Sequence, residues 1–129
     1  MVTTKQLCIL VVEDEDRIAS LLQRQFETAG FEVLTASNGS AALNYIETRV
    51  PDLVVLDLRL PDISGYELCW KLRRLYDRAR LPIVIVTGVE QCMEDLRREA
   101  AGANAYLRKP YDPEELLRLV RFLVKEADK

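Results

Sequence analysis

Four short apolar segments of this 129-residue chain each end in side chains that could do chemistry. Acids follow two of the segments, a hydroxyl ends another and an ammonium ends the last: Glu13, Asp14, Glu15, Asp57, Thr87 and Lys109. Histidine is absent from the chain, so no imidazole can serve as a general base or a metal ligand. Any chemistry at these positions would therefore rest on carboxylates, the threonine, the lysine or a hard metal ion.

Gathered in one place, these side chains would form a pocket for a phosphoryl group. Clustered carboxylates raise one another's pKa unless a cation offsets their charge, and an oxygen-only cluster favours Mg²⁺. Mg²⁺ and the Lys109 ammonium would neutralise the oxygens of a phosphoryl group in transfer while Asp57 attacks in line. Thr87 would then donate a hydrogen bond to a phosphoryl oxygen of the product.

Each of these residues also has a structural interpretation when it is considered alone. Glu13 and Asp14 could cap the helix that follows them, because N-caps favour Asp. Asp57 could be a solvated strand end, and polar residues such as Thr87 and Lys109 commonly finish strands. Four suitable groups at four segment ends favour the functional interpretation, provided that the fold brings those ends together.

Alternating strand and helix patterns predict a fold that does so. Five runs predict β-strands, at residues 7–12, 31–36, 53–57, 82–87 and 104–109. The first, third and fourth are almost continuously apolar, which is typical of central parallel strands covered on both faces. The second and fifth contain more polar residues and suit the edges of a sheet.

Helical stretches between these runs predict an α/β fold, a three-layer α/β/α sandwich with five helices. The helix over 15–29 carries one apolar face and ends at Gly30, a C′ glycine. That face contains Ile18, Leu21, Leu22, Phe26 and Ala29. The last helix begins with Asp112 as its N-cap and Pro113 in its first turn.

Short connections favour right-handed crossovers and a five-stranded parallel sheet of the flavodoxin-like order 2-1-3-4-5. Ligands of such sheets bind beyond the carboxyl ends of the strands. The carboxyl ends of strands one, three, four and five would then share one edge, which is where the candidate residues stand.

The composition is typical of a single soluble domain covering residues 1–129, with 49% hydrophobic and 30% charged residues. No apolar stretch approaches the ~20 residues that cross a bilayer, and no secretory signal is recognisable. Three cysteines without a CxxC pair indicate free thiols in a reducing compartment. We therefore expect a cytoplasmic domain with no membrane contact. The net charge of −3 without a basic arm also argues against direct nucleic-acid binding.

The segments that carry the candidate residues resemble the motifs of the response-regulator receiver domain (CheY-like), the phosphoacceptor half of two-component signalling. The resemblance covers residues 6–125 and rests on "ILVVEDE", "PDLVVLDLRLPDISGYEL", "PIVIVTG" and "AYLRKPY". It implies that Asp57 is the phosphoacceptor, Thr87 the switch hydroxyl and Lys109 the phosphate-binding lysine. Tyr106 falls at the position of the family's switch aromatic residue.

The resemblance also implies a Mg²⁺ site and a backbone feature. Asp14 and Asp57 would bind the metal together with the backbone carbonyl of Arg59. Glu13 would be the second acid, acting from the second coordination shell through a water. The family usually has a cis peptide bond before the proline that corresponds to Pro110, an isomer that only X–Pro bonds adopt at low cost.

The function implied by the resemblance is phosphotransfer from a phosphohistidine to Asp57. The donor would be a sensor histidine kinase or a phosphotransfer protein, and the acyl phosphate would hydrolyse by a self-catalysed route. The chain would therefore be a signalling switch rather than an enzyme with a separate substrate. Through Thr87 and Tyr106, phosphorylation would change the face formed by the fourth helix (about 90–101), the fifth strand and the fifth helix. A downstream output domain or protein would read that face.

Arg59, two residues after the phosphoacceptor position, is larger and more basic than usual for the family. We hypothesise that it pairs with Glu13 or Glu90 before phosphorylation and afterwards screens the phosphoaspartate from water. A solvated arginine is the alternative.

Two further departures concern partners. The segment "GANAYL" has Asn104 and Ala105 where regulators that dimerise through their last helices commonly have two aspartates. A monomer and a phosphorylation-dependent dimer therefore both stay open. Trp70 and Phe122 lie off the apolar faces of their helices and could anchor partners or pack partly against their neighbours.

Two other classes of protein are alternatives. A phosphatase of the haloacid-dehalogenase type would need a second aspartate where this chain has Arg59, and its cap domain would need additional length. A flavodoxin-like interaction module without phosphorylation would need a Ser/Thr/Gly-rich phosphate loop after strand one. The acidic segment "EDEDR" at residues 13–17 would repel a flavin phosphate instead.

Overall fold

The computed structural model describes residues 6–88 and 102–127. The described part contains strands β1 Cys8–Val12, β2 Glu32–Ala36, β3 Leu53–Leu56, β4 Ile83–Thr87 and β5 Ala105–Arg108. Its helices are α1 Asp16–Thr28, α2 Gly39–Thr48, α3 Gly65–Leu75 and α4 Pro113–Ala127. Each strand begins and ends within one residue of its predicted bounds.

Within the described residues the strands form one parallel sheet in the order β2-β1-β3-β4-β5, which confirms the predicted topology. Every residue of the three central strands β1, β3 and β4 is buried, as their continuous apolar character indicated. Val12 is paired in register with Leu56, and Leu56 in turn with Ile85. The carboxyl ends of these strands therefore lie side by side at one edge of the sheet.

Four helices are found in the described residues, whereas five were predicted. The predicted fourth helix falls within 89–101, which lies outside the described residues, and so does its proposed role in the switch. The fifth predicted helix is α4 here. Its N-cap is as expected, because Oδ1 of Asp112 accepts a hydrogen bond from the backbone N–H of Glu114 at 3.0 Å.

Apolar side chains pack on both faces of the sheet. One cluster contains residues of α2 and α3, such as Ile46 and Leu72. The other contains residues of α1 and α4, such as Phe26 and Val120. Leu21 does not join its cluster and is 61% exposed, which corrects its predicted place on the buried face of α1.

Two local features of the backbone agree with the sequence prediction. Gly30 follows α1 with a φ of 101°, a conformation that favours glycine and ends the helix. The peptide bond between Lys109 and Pro110 is cis. Among the described residues no helix is both long enough and apolar enough to span a bilayer.

Candidate functional site

One lysine and two acids from three different strand ends are in direct contact. The Lys109 Nζ donates a hydrogen bond to Asp57 Oδ2 at 2.8 Å and to Glu13 Oε1 at 3.1 Å. Glu13 is 3% exposed and Asp57 is 6% exposed, so both carboxylates lie almost entirely out of water. The ammonium is the cation that offsets their charge.

The sheet itself positions these three residues. The backbone N–H of Asp57 donates to the carbonyl of Val12 at 3.1 Å, and that of Glu13 donates to the carbonyl of Ala36 at 3.0 Å. The N–H of Lys109 likewise donates to the carbonyl of Thr87 at 2.8 Å. The hydrogen-bonded pairing thus continues one residue beyond the regular strands, and the backbones that carry the polar side chains are held by it.

The loop after Asp57 turns closely around this residue. The N–H of Arg59 donates to Asp57 Oδ1 at 3.0 Å, which orients the carboxylate. A Cβ atom at Gly65 would lie 2.5 Å from the carbonyl oxygen of Asp57 and 2.5 Å from the Cα of Leu58. Only glycine fits this position, because α3 begins directly against the backbone of the acid.

Burial and neighbouring charges shift the pKa values of Glu13 and Lys109. Burial, opposed by a hydrogen bond from the Glu15 N–H and reinforced by the Asp57 charge, raises the pKa of Glu13 from 4.5 to about 6. Partial burial lowers the pKa of Lys109, but the hydrogen bonds and charges of Asp57 and Glu13 outweigh it and the pKa is raised. Lys109 therefore stays protonated, whereas the folded protein disfavours the charged form of Glu13.

The two proposed switch residues lie near this centre on β4 and β5. Thr87 is the last residue of β4 and is 1% exposed. Tyr106 is paired in register with Ile85 and is half-buried against the cluster under α2 and α3. A Cβ atom at Gly88 would approach the Lys109 side chain no closer than 4.0 Å, so space is open beside the lysine.

Asp14 stands at the same edge of the sheet, but its side chain is exposed, and within the described residues no hydrogen bond or ion pair joins it to the three central groups. Within the described ranges, no group of three or more acidic or cysteine side chains is close enough to hold a metal ion. Mg²⁺ does not require three, because it commonly uses one or two carboxylates with carbonyls and waters. Glu13 and Asp57 already share one cation, Lys109, so this oxygen donor set fits a hard cation.

The Arg59 side chain is exposed. It forms no ion pair with Glu13 within the described part of the chain, which corrects one half of the hypothesis. The Glu13 carboxylate is already held by Lys109 Nζ and by the Glu15 N–H, the latter at 3.2 Å. Glu90, the other predicted partner, lies outside the described residues.

Asp62 is a residue of this loop that the sequence did not single out. Its Oδ1 accepts from the N–H of Gly39 at 2.8 Å, and its Oδ2 accepts from the N–H of Ser40 at 2.9 Å. These hydrogen bonds hold the pKa of Asp62 well below its usual range. Asp62 thus ties the loop after Asp57 to the first turn of α2. Local sequence carries no signal for this contact, since its partners are more than twenty residues away.

An apolar groove lies beside Lys109 on the α1–α4 side of the sheet. It has a volume of about 490 Å³. Its lining includes Ile18, Leu21, Pro110, Tyr111 and Pro113. The exposed Leu21 is explained by this groove, because its side chain lines a cavity next to the site instead of entering the core.

Fold and site together define the class: a CheY-like α/β domain with acids and a lysine at the carboxyl edge of its sheet. The family described as response regulator receiver domain matches residues 9–121, and the chain belongs to that family. It is therefore a receiver domain of the two-component type, a signalling phosphoacceptor and not a conventional enzyme. This family assignment replaces the phosphatase and flavodoxin-like alternatives.

Similar proteins agree with this assignment. The chain is 38% identical over 120 residues to the alkaline phosphatase synthesis transcriptional regulatory protein PhoP of Bacillus subtilis, covering 93% of this chain and 49% of that protein. It is 40% identical over 119 residues to the phosphate regulon transcriptional regulatory protein PhoB of Rhizobium meliloti, covering 92% and 52%. The chain thus spans about half the length of these two regulators.

Solved structures show the same fold. The CheY-like receiver domain protein from Methanospirillum hungatei superposes with a TM-score of 0.87 at 31% identity, covering 96% of this chain and 98% of that one. The response regulator TrrA from Thermotoga maritima, solved in complex with Mg(2+)-BeF, gives 0.82 at 33% identity, covering 92% and 99%.

Proposed function

We propose that Asp57 accepts a phosphoryl group from a phosphohistidine in the presence of Mg²⁺. The observation that carries this proposal is the contact of one ammonium, Lys109, with two buried carboxylates at the carboxyl edge of the sheet. Burying two carboxylates costs free energy unless cations offset their charge. Two carboxylates beside an ammonium are the groups that would bind a metal ion and a phosphoryl group together.

The side chains have separate roles in this transfer. An oxygen of Asp57 forms the O–P bond as the N–P bond of the phosphohistidine breaks, and the histidine keeps the electron pair. Lys109 pairs with a phosphoryl oxygen, and Thr87 donates a hydrogen bond to another. Asp14, Asp57 and the Arg59 carbonyl would hold Mg²⁺, with Glu13 behind them. The metal supplies charge neutralisation at the phosphoryl oxygens.

The product is an acyl phosphate that reports a signal and then hydrolyses by the domain's own chemistry. The phosphoryl group adds roughly −1.5 to −2 charges next to Thr87. Movement of Thr87 toward it would make room for Tyr106 to turn inward, and the surface around β5 and α4 would change. We place the reader of that surface in an output domain or a separate partner, because the similar regulators are about twice as long.

The phosphodonor is a sensor histidine kinase or a phosphotransfer protein. The groove beside Lys109 gives an apolar surface next to Asp57 on which such a donor could rest. Leu21→Glu should therefore slow transfer from a phosphorylated sensor kinase without changing labelling by acetyl phosphate. Leu75→Glu is the matched control, since Leu75 is 65% exposed on α3 and lies far from the groove.

The proposal extends to the setting of the domain. Residues 1–129 would form one receiver domain, as a monomer or a phosphorylation-dependent dimer. We propose a cytoplasmic location, consistent with the free, buried thiols of Cys8 and Cys69.

Incubation with acetyl phosphate and Mg²⁺, followed by mass spectrometry, tests the central claim. We expect an adduct of about 80 Da on Asp57 that is lost in EDTA and in Asp57→Asn. Asp52→Asn is the matched control, because Asp52 flanks the other end of β3, where it accepts a hydrogen bond from the Cys8 N–H at 2.7 Å. Labelling that survives Asp57→Asn would refute the assignment.

The remaining half of the Arg59 hypothesis has its own test. If Arg59 screens the phosphoaspartate from water, the acyl phosphate should hydrolyse faster in Arg59→Ala. Arg24→Ala, at an exposed arginine on α1, should leave the lifetime unchanged. Equal lifetimes in Arg59→Ala and the wild type would leave a solvated arginine as the correct interpretation.

A further inference from the structure

A second surface, on α3 and the turn after it, has the character of a binding site. Trp70 is 69% exposed and Leu75 is 65% exposed on this helix, whose other face packs in the core. The exposed residues Trp70, Lys71, Arg74, Leu75, Arg78 and Arg80 form what we call the α3 basic patch. It lies on the α2–α3 side of the sheet, opposite the groove beside Lys109.

Charge is concentrated in this patch against the trend of the chain. Residues 66–80 contain five basic and two acidic residues, although the whole chain has a net charge of −3. No ion pair joins Lys71 or Arg74 to an acid in the part of the chain that the structure describes. Of the two acids, Asp77 accepts from the N–H of Arg80 at 2.8 Å and so is used in its own turn.

At the base of the patch lies Arg73, a cation that forms no ion pair among residues 6–88 and 102–127. Arg73 is half-buried, and its guanidinium donates to the carbonyls of Leu81 at 2.8 Å and Tyr76 at 3.1 Å. It also donates to the carbonyl of Gly102 and, at 2.7 Å, to Oδ1 of Asn104. All of these acceptors are uncharged, so they fix the guanidinium without cancelling its charge.

Arg73 also lines a cavity with Trp70 and Arg74, of about 430 Å³. The Trp70 indole, the Arg74 guanidinium and the fixed positive charge of Arg73 thus surround one recess. Aromatic and arginine side chains of this kind dominate binding energy at protein interfaces. The recess would take an apolar side chain against Trp70, with carboxylates near Arg74 and Lys71.

We propose that the α3 basic patch binds an acidic, amphipathic segment of a partner protein. A nucleic acid fits less well, because backbone binding typically engages 6–10 phosphates along an extended track. The helix α3 has 11 residues and is only about 16 Å long, which is too short a track for that many phosphates. A partner helix of three to four turns matches this length.

Because the two surfaces lie on opposite sides of the sheet, a partner on α3 would leave the groove and Asp57 accessible. The α3 basic patch could therefore hold the domain in a complex while the phosphodonor acts. The inference does not depend on the phosphorylation chemistry proposed above.

The test uses Trp70 as its own reporter, since it is the only tryptophan in the sequence. The probe is a peptide of about 15 residues, long enough for four helical turns, with Glu on one face and Leu and Phe on the other. We expect it to shift the fluorescence of the full chain. The double variant Lys71→Glu/Arg74→Glu should weaken binding at least about tenfold, as should raising the salt concentration.

Controls separate the alternatives. The pair Arg17→Glu/Arg24→Glu reverses the same number of charges at exposed positions on α1 and should bind the peptide with nearly wild-type affinity. The proposal is overturned if the peptide causes no shift, or if a peptide with Gln in place of Glu binds equally well. It is also overturned if a DNA duplex or phosphatidylglycerol vesicles bind more tightly than the peptide. A cooperative urea denaturation curve with a wild-type midpoint verifies that the double variant is folded.

Discussion

Lys109 and Arg73 are both half-buried cations, but their environments differ in one decisive respect. Lys109 contacts two carboxylates, whereas Arg73 contacts backbone carbonyls and one amide oxygen. The charges around Lys109 raise its pKa, while burial lowers the pKa of Arg73. The carboxylates that Lys109 contacts can bind a metal ion, and its ammonium can pair with a phosphoryl oxygen. The backbone carbonyls that Arg73 contacts belong to the fold and stabilise it.

The comparison predicts that Arg73 matters most for stability. Arg73→Met would leave several buried carbonyl oxygens without donors, at a cost of about 3 kcal/mol in the free energy of unfolding. Urea denaturation measures this loss. Arg74→Ala, its exposed neighbour, should change stability by less than about 0.5 kcal/mol. Similar values for the two variants would show that the carbonyl contacts of Arg73 contribute little.

Lys109→Met should have a smaller effect that depends on the metal. Without the ammonium, the carboxylates of Asp57 and Glu13 repel each other, and we expect a loss of about 2 kcal/mol at pH 7.5 in EDTA. Because Mg²⁺ offsets the same charge, it should stabilise this variant more than it stabilises the wild type. Thermal unfolding with and without Mg²⁺ measures this difference in stabilisation. Lys71→Met is the control, and equal Mg²⁺ effects in all three proteins would contradict the comparison.

The raised pKa of Glu13 predicts that the free energy of unfolding decreases as the pH rises. Its pKa is about 6 in the folded chain against 4.5 ordinarily, so the folded state binds more protons between these pH values. Stability in EDTA should therefore fall as pH rises from 4.5 to 6, by up to about 2 kcal/mol. Glu13→Gln should lack this contribution and be the more stable protein at pH 7.5. If the free energies of unfolding of the wild type and Glu13→Gln change in parallel with pH, this prediction is wrong.

Asp62 resembles Arg73 in having uncharged backbone partners, but it lies in the loop that follows Asp57. Asp62→Ala and Asn38→Ala each remove an acceptor for N–H groups of α2 and should each lower the midpoint of urea denaturation. Only Asp62→Ala should also weaken Mg²⁺ binding, by a few-fold, since it frees the loop that carries the Arg59 carbonyl. Isothermal titration with Mg²⁺ distinguishes them. An unchanged affinity would make Asp62 a helix cap and nothing more.

Much of the fold and the centre of the site could be predicted because the signals are local. Continuous apolar runs indicated the buried strands, and the residue types after them indicated Glu13, Asp57 and Lys109. Leu21 was expected on the buried face of α1 and is exposed, since helical periodicity does not say how far a neighbouring element extends. The missing Arg59–Glu13 pair has a similar cause: Glu13 was already bound by a residue 96 positions away.

The sequence by itself determined the strands, their order and the kinds of side chain at their ends, because burial and chain connectivity act through nearby residues. Only the tertiary structure decided which of those side chains touch. It placed Lys109 between two acids, Asp62 on α2 and Arg73 among carbonyls of distant segments. Hydrogen bonds and ion pairs act over about 3 Å, and contacts this short between remote residues exist only once the whole sheet has packed.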